Sequence, residues 1–386
     1  MKWKEIAANG LIAAVAVSVG LLLCEVGARF VLNVADYLSV TVADDPVLGM
    51  AIPPGSPGFD EWGFRNASVP SSAAVVTVGD SHTFGNAATM DEAWPSVLSR
   101  RLGTSVYNLG VGGYGPNQYY HLLMTRGLKL HPKWVLCGLY MGDDFENAFS
   151  ITYGLDYWSS LRTGHWPSVN ANIWGDSEPP GPFKRVRNWL SRESLLYRLV
   201  VHGAVLGSLK ESVRFRQVAG KTDPDVTSLE LPEKNIREAF RPRGLVTRLD
   251  QKRPEVREGM RIAFHLLKAM DQACRENGCT LVVVIIPTKE TVFADYLTHA
   301  PDLHLKTEVE QVVANESAVR HQLVGFLHEQ GIQYVEALPA LQRAIDHELY
   351  ARTTADMHPN GNGYRVIGDT VAEFLRTASP NDPGRP

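Results

Sequence analysis

The sequence lacks the patterns of a metalloprotein, a nucleotide-binding enzyme or a nucleic-acid-binding protein. Its histidines are scattered without the short spacing of metal ligands. It has no phosphate-binding loop of the Walker type, and the glycine-rich stretch at 110–115 lacks the acidic partner of a dinucleotide site. The net charge of −4 gives no electrostatic reason to bind nucleic acid. We therefore expect no metal, no cofactor and no nucleic-acid partner.

Cysteine is scarce, with four residues in 386. Cys274 and Cys279 bracket a predicted helix-to-strand turn, where an oxidising compartment would permit a disulfide. Two unpaired, partly buried thiols are the favoured alternative. Cys24 and Cys137 fall in apolar segments, and for Cys137 a buried, inert thiol is expected.

Residues 1–34 are the compositional outlier. Two lysines precede an uncharged apolar run from Gly10 to Cys24, which as a helix would span about 22 Å of a hydrocarbon core of about 30 Å. Flanking residues bring the segment close to a full crossing if Glu25 lies near an interface. An uncleaved signal anchor is favoured over a cleaved signal peptide or a lipoprotein anchor, because apolar residues continue at 30–32. The lysines predict a single-pass inner-membrane protein whose bulk is periplasmic or otherwise extracytoplasmic.

The rest of the chain divides into a connector, one large domain and a tail. Residues 35–72 are rich in Pro, Gly and Ser and are interpreted as an extended connector. Residues 73–377 form the domain, interrupted by an insertion at about 150–255, and residues 378–386 are expected to be disordered. The domain has five strand-like runs, at 73–79, 105–111, 133–141, 280–287 and 332–338.

Near-continuous apolar strands alternating with amphipathic segments predict an α/β fold. We expect a flavodoxin-like, doubly wound parallel sheet of five strands with helices on both faces. The insertion is predicted to be mostly helical, with the basic stretch at 184–192 as a solvated helix face. Its tryptophans Trp158, Trp166 and Trp174 could stack on sugar rings or form its small core.

Ser81 follows the first strand of the domain in the sequence "VVTVGDSHTFG". A strand that ends in Gly-Asp-Ser and enters a helix puts the serine at the carboxyl edge of a parallel sheet, where such sheets place their sites. The G-x-S-x-G pattern of the α/β-hydrolase nucleophile is absent. Taken alone, Ser81 is explained equally well as a helix cap.

Asp356 and His358 lie in a loop before the last predicted helix, in "TTADMHPNGNGY". That loop is expected at the same sheet edge as Ser81. His358 could then remove the serine proton while Asp356 fixes the tautomer of the ring, as in a catalytic triad.

Other polar or glycine-rich segments also follow predicted strands. "YNLGVGGYG" could present a backbone N–H to an oxyanion, and "YMGDDFEN" puts Asp143, Asp144 and Asn147 at the same edge. Lys289, in "IIPTKE", could contact substrate, although a surface ion pair is the favoured role.

Three of these segments resemble the SGNH (GDSL-like) hydrolase superfamily over about residues 70–377. "GDSH" is similar to its first block, which implies that Ser81 is the nucleophile and that its N–H is an oxyanion donor. "NLGVGG" is similar to the second block and implies an oxyanion role for Gly113. "DMHPN" is similar to the last block and implies that Asp356 and His358 are the acid and the base.

Two blocks differ from the usual pattern. The last block has D-x-H where D-x-x-H is usual, and the third has Gly142-Asp143-Asp144 where G-N-D is usual. A carboxylate cannot donate a hydrogen bond to an oxyanion unless it is protonated. Asp143 could be held neutral, Asn147 could take its place, or the enzyme could be slow.

The resemblance is greatest to membrane-anchored bacterial members, which implies O-acyl chemistry on cell-surface polysaccharides. The leading hypothesis is an esterase that removes acyl groups from an extracytoplasmic glycan. An O-acetyltransferase with the same triad is one alternative, and a catalytically silent glycan-binding or scaffold protein is another. The expected partners are an O-acylated glycan or acyl donor and, through the N-terminal helix, the lipid bilayer.

Overall fold

The computed structural model describes residues 2–37, 40–164, 166, 182–202, 223–234, 236–300, 303–351 and 355–378. Trp174, parts of the predicted insertion and most of the predicted tail lie outside the described residues. The helices are α1 Lys2–Val31, α2 Ser81–Phe84, α3 Trp94–Leu102, α4 Pro116–Thr125, α5 Asp144–Gly154, α6 Pro182–Glu193, α7 Leu195–His202, α8 Pro242–Leu249, α9 Pro254–Glu276, α10 Lys289–Val292, α11 Ala294–His299, α12 Lys306–Gln330, α13 Leu338–Arg343 and α14 Gly361–Thr377. The strands are β1 Ala43–Asp45, β2 Gly49–Ala51, β3 Val75–Gly79, β4 Val106–Asn108, β5 Trp134–Tyr140, β6 Thr227–Leu231, β7 Ile236–Phe240, β8 Thr280–Ile286 and β9 Gln333–Glu336.

Five parallel strands form the central sheet, in the order β4-β3-β5-β8-β9. Numbered along the chain, this is the order 2-1-3-4-5 of a flavodoxin-like, doubly wound sheet. The prediction of fold class is confirmed. The order reverses between β3 and β5, so the carboxyl end of β3 lies at the point where such folds place their sites.

Both faces of the sheet are buried, which explains the continuous apolar runs of its central strands. All residues of β3 and β5 are buried, and alternate residues of each strand belong to two separate apolar cores. One core includes α4, α5, α9 and α12, and the other includes α3 and α14. The two layers of helices hold the strands rigidly and fix the loops at their carboxyl ends.

Two antiparallel hairpins depart from the sequence interpretation. β1 pairs with β2 inside the predicted connector, and β6 pairs with β7 inside the insertion, whose other described elements are mostly helices as predicted. The sequence pattern hides β7 because it carries a charged residue, Glu238, on a buried position. A buried counter-ion, described below, makes that strand possible.

The structure shows the surroundings of the cysteines and tryptophans for which the sequence left two roles possible. Cys274 and Cys279 are both buried and free. Trp158 is 5% exposed and donates its indole N–H to a backbone carbonyl in the β1–β2 turn. Trp166 packs against two aromatic rings of α5, with ring centroids 5.0 and 5.7 Å away. Trp158 is therefore a core residue, and Trp166 packs edge-on against its aromatic neighbours.

The N-terminal helix α1 extends beyond the apolar run that marks it in the sequence. Its segment Glu5–Val31 is long and apolar enough to cross a membrane, and none of the segment's most apolar window is buried against the protein. At 1.5 Å per residue its 27 residues span about 40 Å. This helix is consistent with a single-pass membrane anchor or a signal sequence.

Two glycines let α2 approach the sheet. A Cβ atom on Gly79 would lie 2.0 Å from Thr83 Oγ1, and a Cβ atom on Gly138 would lie 2.2 Å from the same oxygen. Real Cβ atoms do not approach other atoms so closely, so α2 would have to move if either glycine carried a side chain. The position of Ser81 therefore depends on the absence of a side chain at Gly79 and at Gly138.

We expect Gly138→Ala to lower the free energy of unfolding by about 1–3 kcal/mol, because the new methyl group overpacks against Thr83. Adding Thr83→Ala should restore most of this loss, since the other neighbours of the new Cβ are at least 3.5 Å away. Gly79→Ala provides the matched contrast. Its Cβ would also lie 2.5 Å from Thr83 Cβ and 3.0 Å from a backbone oxygen, so Thr83→Ala should not rescue it. Urea denaturation of the four variants measures both effects, and equal rescue of both glycine variants would contradict the clash.

Candidate active site

Ser81 is the first residue of α2, directly after β3. Asp80 caps the helix, and its carboxylate accepts a hydrogen bond from the backbone N–H of His82 at 2.9 Å. The helix is short because Gly85 ends it in the left-handed conformation, with a φ of 88°. The serine thus lies at the carboxyl edge of the sheet, as the sequence predicts.

Ser81, His358 and Asp356 form one continuous chain of hydrogen bonds. His358 Nε2 lies 2.8 Å from Ser81 Oγ, and His358 Nδ1 lies 2.6 Å from Asp356 Oδ1. Asp356 Oδ1 also accepts the backbone N–H of His358 at 3.0 Å. We assign the proton to Nδ1, because a carboxylate can only accept, which leaves Nε2 free to take the serine proton. The D-x-H spacing therefore gives a working hydrogen-bond geometry.

The charges around this chain of hydrogen bonds suit His358 as a general base. Burial alone would lower the pKa of His358, but the hydrogen bond and charge of Asp356, with smaller contributions from Asp80 and Asp143, raise it. Burial alone would raise the pKa of Asp356. Its hydrogen bond to His358, together with the charge of that ring, outweighs burial and lowers the pKa to about 2. Asp356 is therefore ionised at neutral pH and stabilises the imidazolium that forms when Ser81 is deprotonated.

The backbone N–H groups of Ser81 and Gly113, the two predicted oxyanion donors, are not used by the fold of the described residues. Within the part of the chain that the structure describes, neither the Ser81 N–H nor the Gly113 N–H has an acceptor. Ser81 owes this to its place in the first helical turn, where N–H groups have no partner in the helix. Gly113 has a φ of 77°, a conformation that favours glycine. Both are candidates for an oxyanion hole.

Three carboxyl groups meet behind the serine. One oxygen each of Asp80, Asp143 and Asp144 lie within 4.8 Å of one another. Asp80 Oδ2 is also 3.4 Å from Ser81 Oγ. Asp144 is fully buried and accepts hydrogen bonds from the Tyr119 hydroxyl at 2.7 Å and a backbone N–H at 2.9 Å. Like charges so close cannot all be ionised at once, so at least one of these groups is expected to hold a proton.

Asp143 is the member of this cluster that lacks hydrogen-bond partners. Its Oδ1 is buried with no partner among the described residues. Burial and the charge of Asp80 raise its pKa to about 7, against an opposing effect of Arg248. Burial also raises the pKa of Asp144, which already has two donors. A neutral Asp143 would be a hydrogen-bond donor, as the usual asparagine is.

His82 is a neighbour of the site to which the sequence assigned no role. It is 1% exposed, and its Nδ1 lies 3.1 Å from Asp80 Oδ2. Its ring stacks on Tyr140 with centroids 3.8 Å apart and lies 4.9 Å from the ring of His358. Burial lowers the pKa of His82, so it is a neutral wall of the site. In the sequence, only the position of His82 next to Ser81 could have indicated that it borders the site.

Asn147 is not brought to the catalytic chain. It is 6% exposed, and its amide donates to the Tyr114 carbonyl at 3.4 Å. Among the described residues it makes no hydrogen bond to Ser81 or His358. The role of Asn147 as the replacement oxyanion donor stays a prediction, and its amide is already engaged by the Tyr114 carbonyl.

Lys289 makes an ion pair, but the pair is buried rather than on the surface as predicted. The side chain is 2% exposed, and Nζ lies 2.6 Å from Glu238 of strand β7. Nζ also donates to the Ala239 carbonyl at 3.2 Å and to the Asp356 carbonyl at 3.5 Å. The ammonium group thus joins the β6–β7 hairpin to the loop that carries the acid and the base.

We expect Lys289→Met to lower the free energy of unfolding by about 3–5 kcal/mol, because it leaves the Glu238 carboxylate buried without its counter-ion. Guanidinium denaturation measures the loss. Adding Glu238→Gln to Lys289→Met removes the uncompensated charge and should recover most of the stability. A single variant as stable as the parent would contradict this role.

Two cavities are lined by residues next to the catalytic chain. One of about 360 Å³ is walled by Met357, between the acid and the base, together with Phe240 and three arginines, Arg241, Arg243 and Arg248. The other, of about 320 Å³, has a mostly apolar lining. Its walls include Val40, Val42, Met50, Ile52, Phe84, Val111 and Gly112. The first cavity thus has charged groups in a mostly apolar lining and reaches the loop of His358 through Met357. The second is more strongly apolar and adjoins the helix of Ser81 and the loop of Gly113.

No family model and no curated protein matches the chain. Among solved structures, an extracellular lipase from Streptomyces rimosus is similar at 10% identity and a TM-score of 0.38, covering 80% of this chain and 100% of that chain. A GDSL-like lipase from Bacteroides thetaiotaomicron is similar at 10% identity and a TM-score of 0.35, covering 79% and 88%. A member of the lipolytic G-D-S-L family from Veillonella parvula has 10% identity and a TM-score of 0.35, covering 79% and 98%.

These TM-scores are below 0.5, so the similarities carry no weight for the activity of this chain. Any activity has to follow from the Ser81–His358–Asp356 geometry and the groups around it.

Proposed function

We propose that the protein is a serine-dependent acyl ester hydrolase. The observation that carries the proposal is the unbroken hydrogen-bond chain from Ser81 Oγ through His358 to Asp356, with distances of 2.8 and 2.6 Å. A serine that serves only as a helix cap has no need of a histidine at its hydroxyl. The arrangement supplies a nucleophile, a base and an orienting carboxylate.

In the first half-reaction, Ser81 Oγ attacks the ester carbonyl carbon and its proton moves to His358 Nε2. The carbonyl oxygen becomes an oxyanion, which the N–H groups of Ser81 and Gly113 and the acid proton of Asp143 stabilise. The oxyanion then collapses, the bond to the alcohol oxygen breaks, and His358 gives its proton to the departing alcohol. The product is an acyl-enzyme on Ser81.

In the second half-reaction, His358 takes a proton from water as the water oxygen attacks the acyl carbon. The same donors stabilise the second oxyanion. Its collapse breaks the bond to Ser81 Oγ, which regains a proton from His358, and the carboxylic acid leaves. If a sugar hydroxyl takes the place of water, the same steps transfer the acyl group to the sugar.

The two cavities suggest how a substrate would be oriented. The apolar cavity beside Phe84 and Gly112 suits the acyl group. The cavity beside Met357 suits an alcohol portion that carries hydroxyl groups, because it is lined by arginines that are already paired with carboxylates and by the acidic residues Asp225 and Glu290, and a hydroxyl can both donate and accept. A polar, oxygen-rich alcohol portion is what an O-acylated glycan offers. We therefore propose an O-acylated glycan as the substrate class and α1 as the anchor of an extracytoplasmic enzyme.

The full chain in lipid nanodiscs should hydrolyse p-nitrophenyl acetate, and it should release acetate from an O-acetylated polysaccharide. Acetyl transfer to an added saccharide without release of free acetate would instead identify an O-acetyltransferase. A fluorophosphonate probe tests the shared chemistry, since it labels only an activated serine. Failure of the probe to label Ser81 would overturn the proposal and leave a glycan-binding or scaffold role.

A further inference from the structure

Helix α6 presents an apolar face that the described residues do not cover. Phe183, Val186 and Trp189 recur every three residues along it and are 92%, 57% and 55% exposed. At this spacing the three side chains lie on one side of the helix. Large apolar side chains exposed together usually mark an interaction surface.

The rest of α6 is basic. Arg185, Arg187 and Arg192 are exposed on a helix of twelve residues whose one acidic residue is its last, Glu193. A helix with an apolar stripe that contains Trp and Phe, and with arginines around it, has the composition of helices that lie in the plane of a membrane surface. The sequence interpretation of this stretch as a solvated face accounts for the arginines but not for the exposed aromatic rings.

Contacts at the C-terminal end of α6 fix its position relative to α1. The Glu25 carboxylate of α1 accepts the backbone N–H groups of Leu195 and Leu196 and the Ser194 hydroxyl, each at 3.0 Å. Arg29 of α1 donates to the last carbonyl of α6. The junction of α6 and α7 is therefore joined to α1 by hydrogen bonds from two side chains.

Those two side chains lie near the end of the segment of α1 that is long and apolar enough to cross a membrane, and the inference rests on the anchor role proposed for α1 above. Glu25 is six residues before the end of the Glu5–Val31 segment, which is about 9 Å along the helix. The segment of about 40 Å exceeds a hydrocarbon core of about 30 Å, so its ends reach into the headgroup layers. Glu25 thus lies close to the boundary between hydrocarbon and headgroups, and the C-terminal end of α6 lies at that level.

We propose that α6 lies on the bilayer surface, with Phe183, Val186 and Trp189 inserted among the lipids and the arginines at the phosphates of anionic phospholipids. The partner is the same bilayer that α1 crosses, because Glu25 and Arg29 hold the end of α6 at its surface. Charge complementarity favours anionic lipids over zwitterionic ones. The insertion that carries α6 is in this way fixed to the membrane at a second point.

Labelling with an environment-sensitive fluorophore tests the orientation of α6. The full chain carries Cys24→Ala, because Cys24 is exposed whereas the other three cysteines are buried. The fluorophore NBD is attached at Val186→Cys on the apolar face or, as the matched control, at Asn188→Cys on the polar face. In nanodiscs with phosphatidylglycerol, shallow nitroxide lipids should quench the probe at 186 at least about two-fold more than the probe at 188.

Equal quenching at the two positions would overturn the proposal. A probe at 186 that is shielded from water in lipid-free amphipol as strongly as in nanodiscs would also overturn it, since protein would then cover the apolar face. Replacing Arg185, Arg187 and Arg192 with glutamine should abolish the difference in quenching between phosphatidylglycerol and phosphatidylcholine nanodiscs. If that difference persists, the arginines do not bind the headgroups.

Discussion

Ser81→Ala is expected to lower kcat/KM for p-nitrophenyl acetate by at least about four orders of magnitude, which leaves only the background of binding and oxyanion stabilisation. The hydroxyl is the only group of this side chain that reaches His358, at 2.8 Å. Hydrolysis is followed at 400 nm, and labelling by a fluorophosphonate probe is read on a gel. Both signals should disappear together.

His358→Gln is the companion variant, because it keeps a polar side chain but removes the base. Its kcat/KM should fall about as far as that of Ser81→Ala, and the double variant should fall no further, since the two residues act as one unit. Thermal unfolding checks that neither change disturbs the fold. Residual hydrolysis of more than about one hundredth of the parent rate in Ser81→Ala would show that another residue is the nucleophile.

Asp143→Asn is expected to raise kcat/KM by about one to two orders of magnitude above pH 8. Asp143 can donate to the oxyanion only when it is protonated, and its pKa is about 7. At pH 9 only about 1% of the carboxyl groups keep the proton, and the ionised remainder would repel an oxyanion. An asparagine amide donates at every pH in this range.

The pH profile of the parent should be a narrow bell. Its acidic limb belongs to His358, which must be neutral to accept the Ser81 proton, so activity rises as the pH passes through the raised pKa of His358. Its alkaline limb belongs to Asp143, so activity falls as the pH rises above about 7. In Asp143→Asn only the acidic limb should remain.

Glu146→Gln, in the first turn of α5, is the matched control, because Glu146 is 43% exposed and affects the pKa of Asp143 only through its charge, less than Asp80 does. It should leave the alkaline limb in place. Asp143→Ala, which offers no donor at any pH, should lose about two to three orders of magnitude in kcat at pH 6.5. An alkaline limb that survives in Asp143→Asn would assign that limb to another group.

The sequence was sufficient for the sheet and for the meeting of Ser81 with His358. Both follow from the same rule, because apolar β-branched runs separated by helices give a parallel sheet whose strands end at one edge. A polar residue directly after such a run, as in Gly79-Asp80-Ser81, can therefore be placed before its partners are known. The loop of Asp356 and His358 was placed at the same edge because it follows the last predicted strand.

The environment of Asp143 and the β6–β7 hairpin were beyond sequence patterns. The distances among Asp80, Asp143 and Asp144 depend on how two strand ends pack, which hydrophobic periodicity does not encode. The hairpin depends on the burial of Glu238 against Lys289, two residues 51 positions apart. A charged residue lowers the apparent strand character of a segment until its counter-ion is known.

The contact of Thr83 with Gly79 and Gly138 sets a condition for building such a site elsewhere. Grafting a serine, a histidine and an aspartate onto the edge of another flavodoxin-like sheet would reproduce the reacting groups but not the turn that carries the nucleophile. That turn rests on two neighbouring strands, each with a hydrogen atom where a side chain would start. A designed scaffold would need a glycine at both positions, paired across the two strands as Gly79 is with Gly138. Only then would the choice of catalytic residues matter.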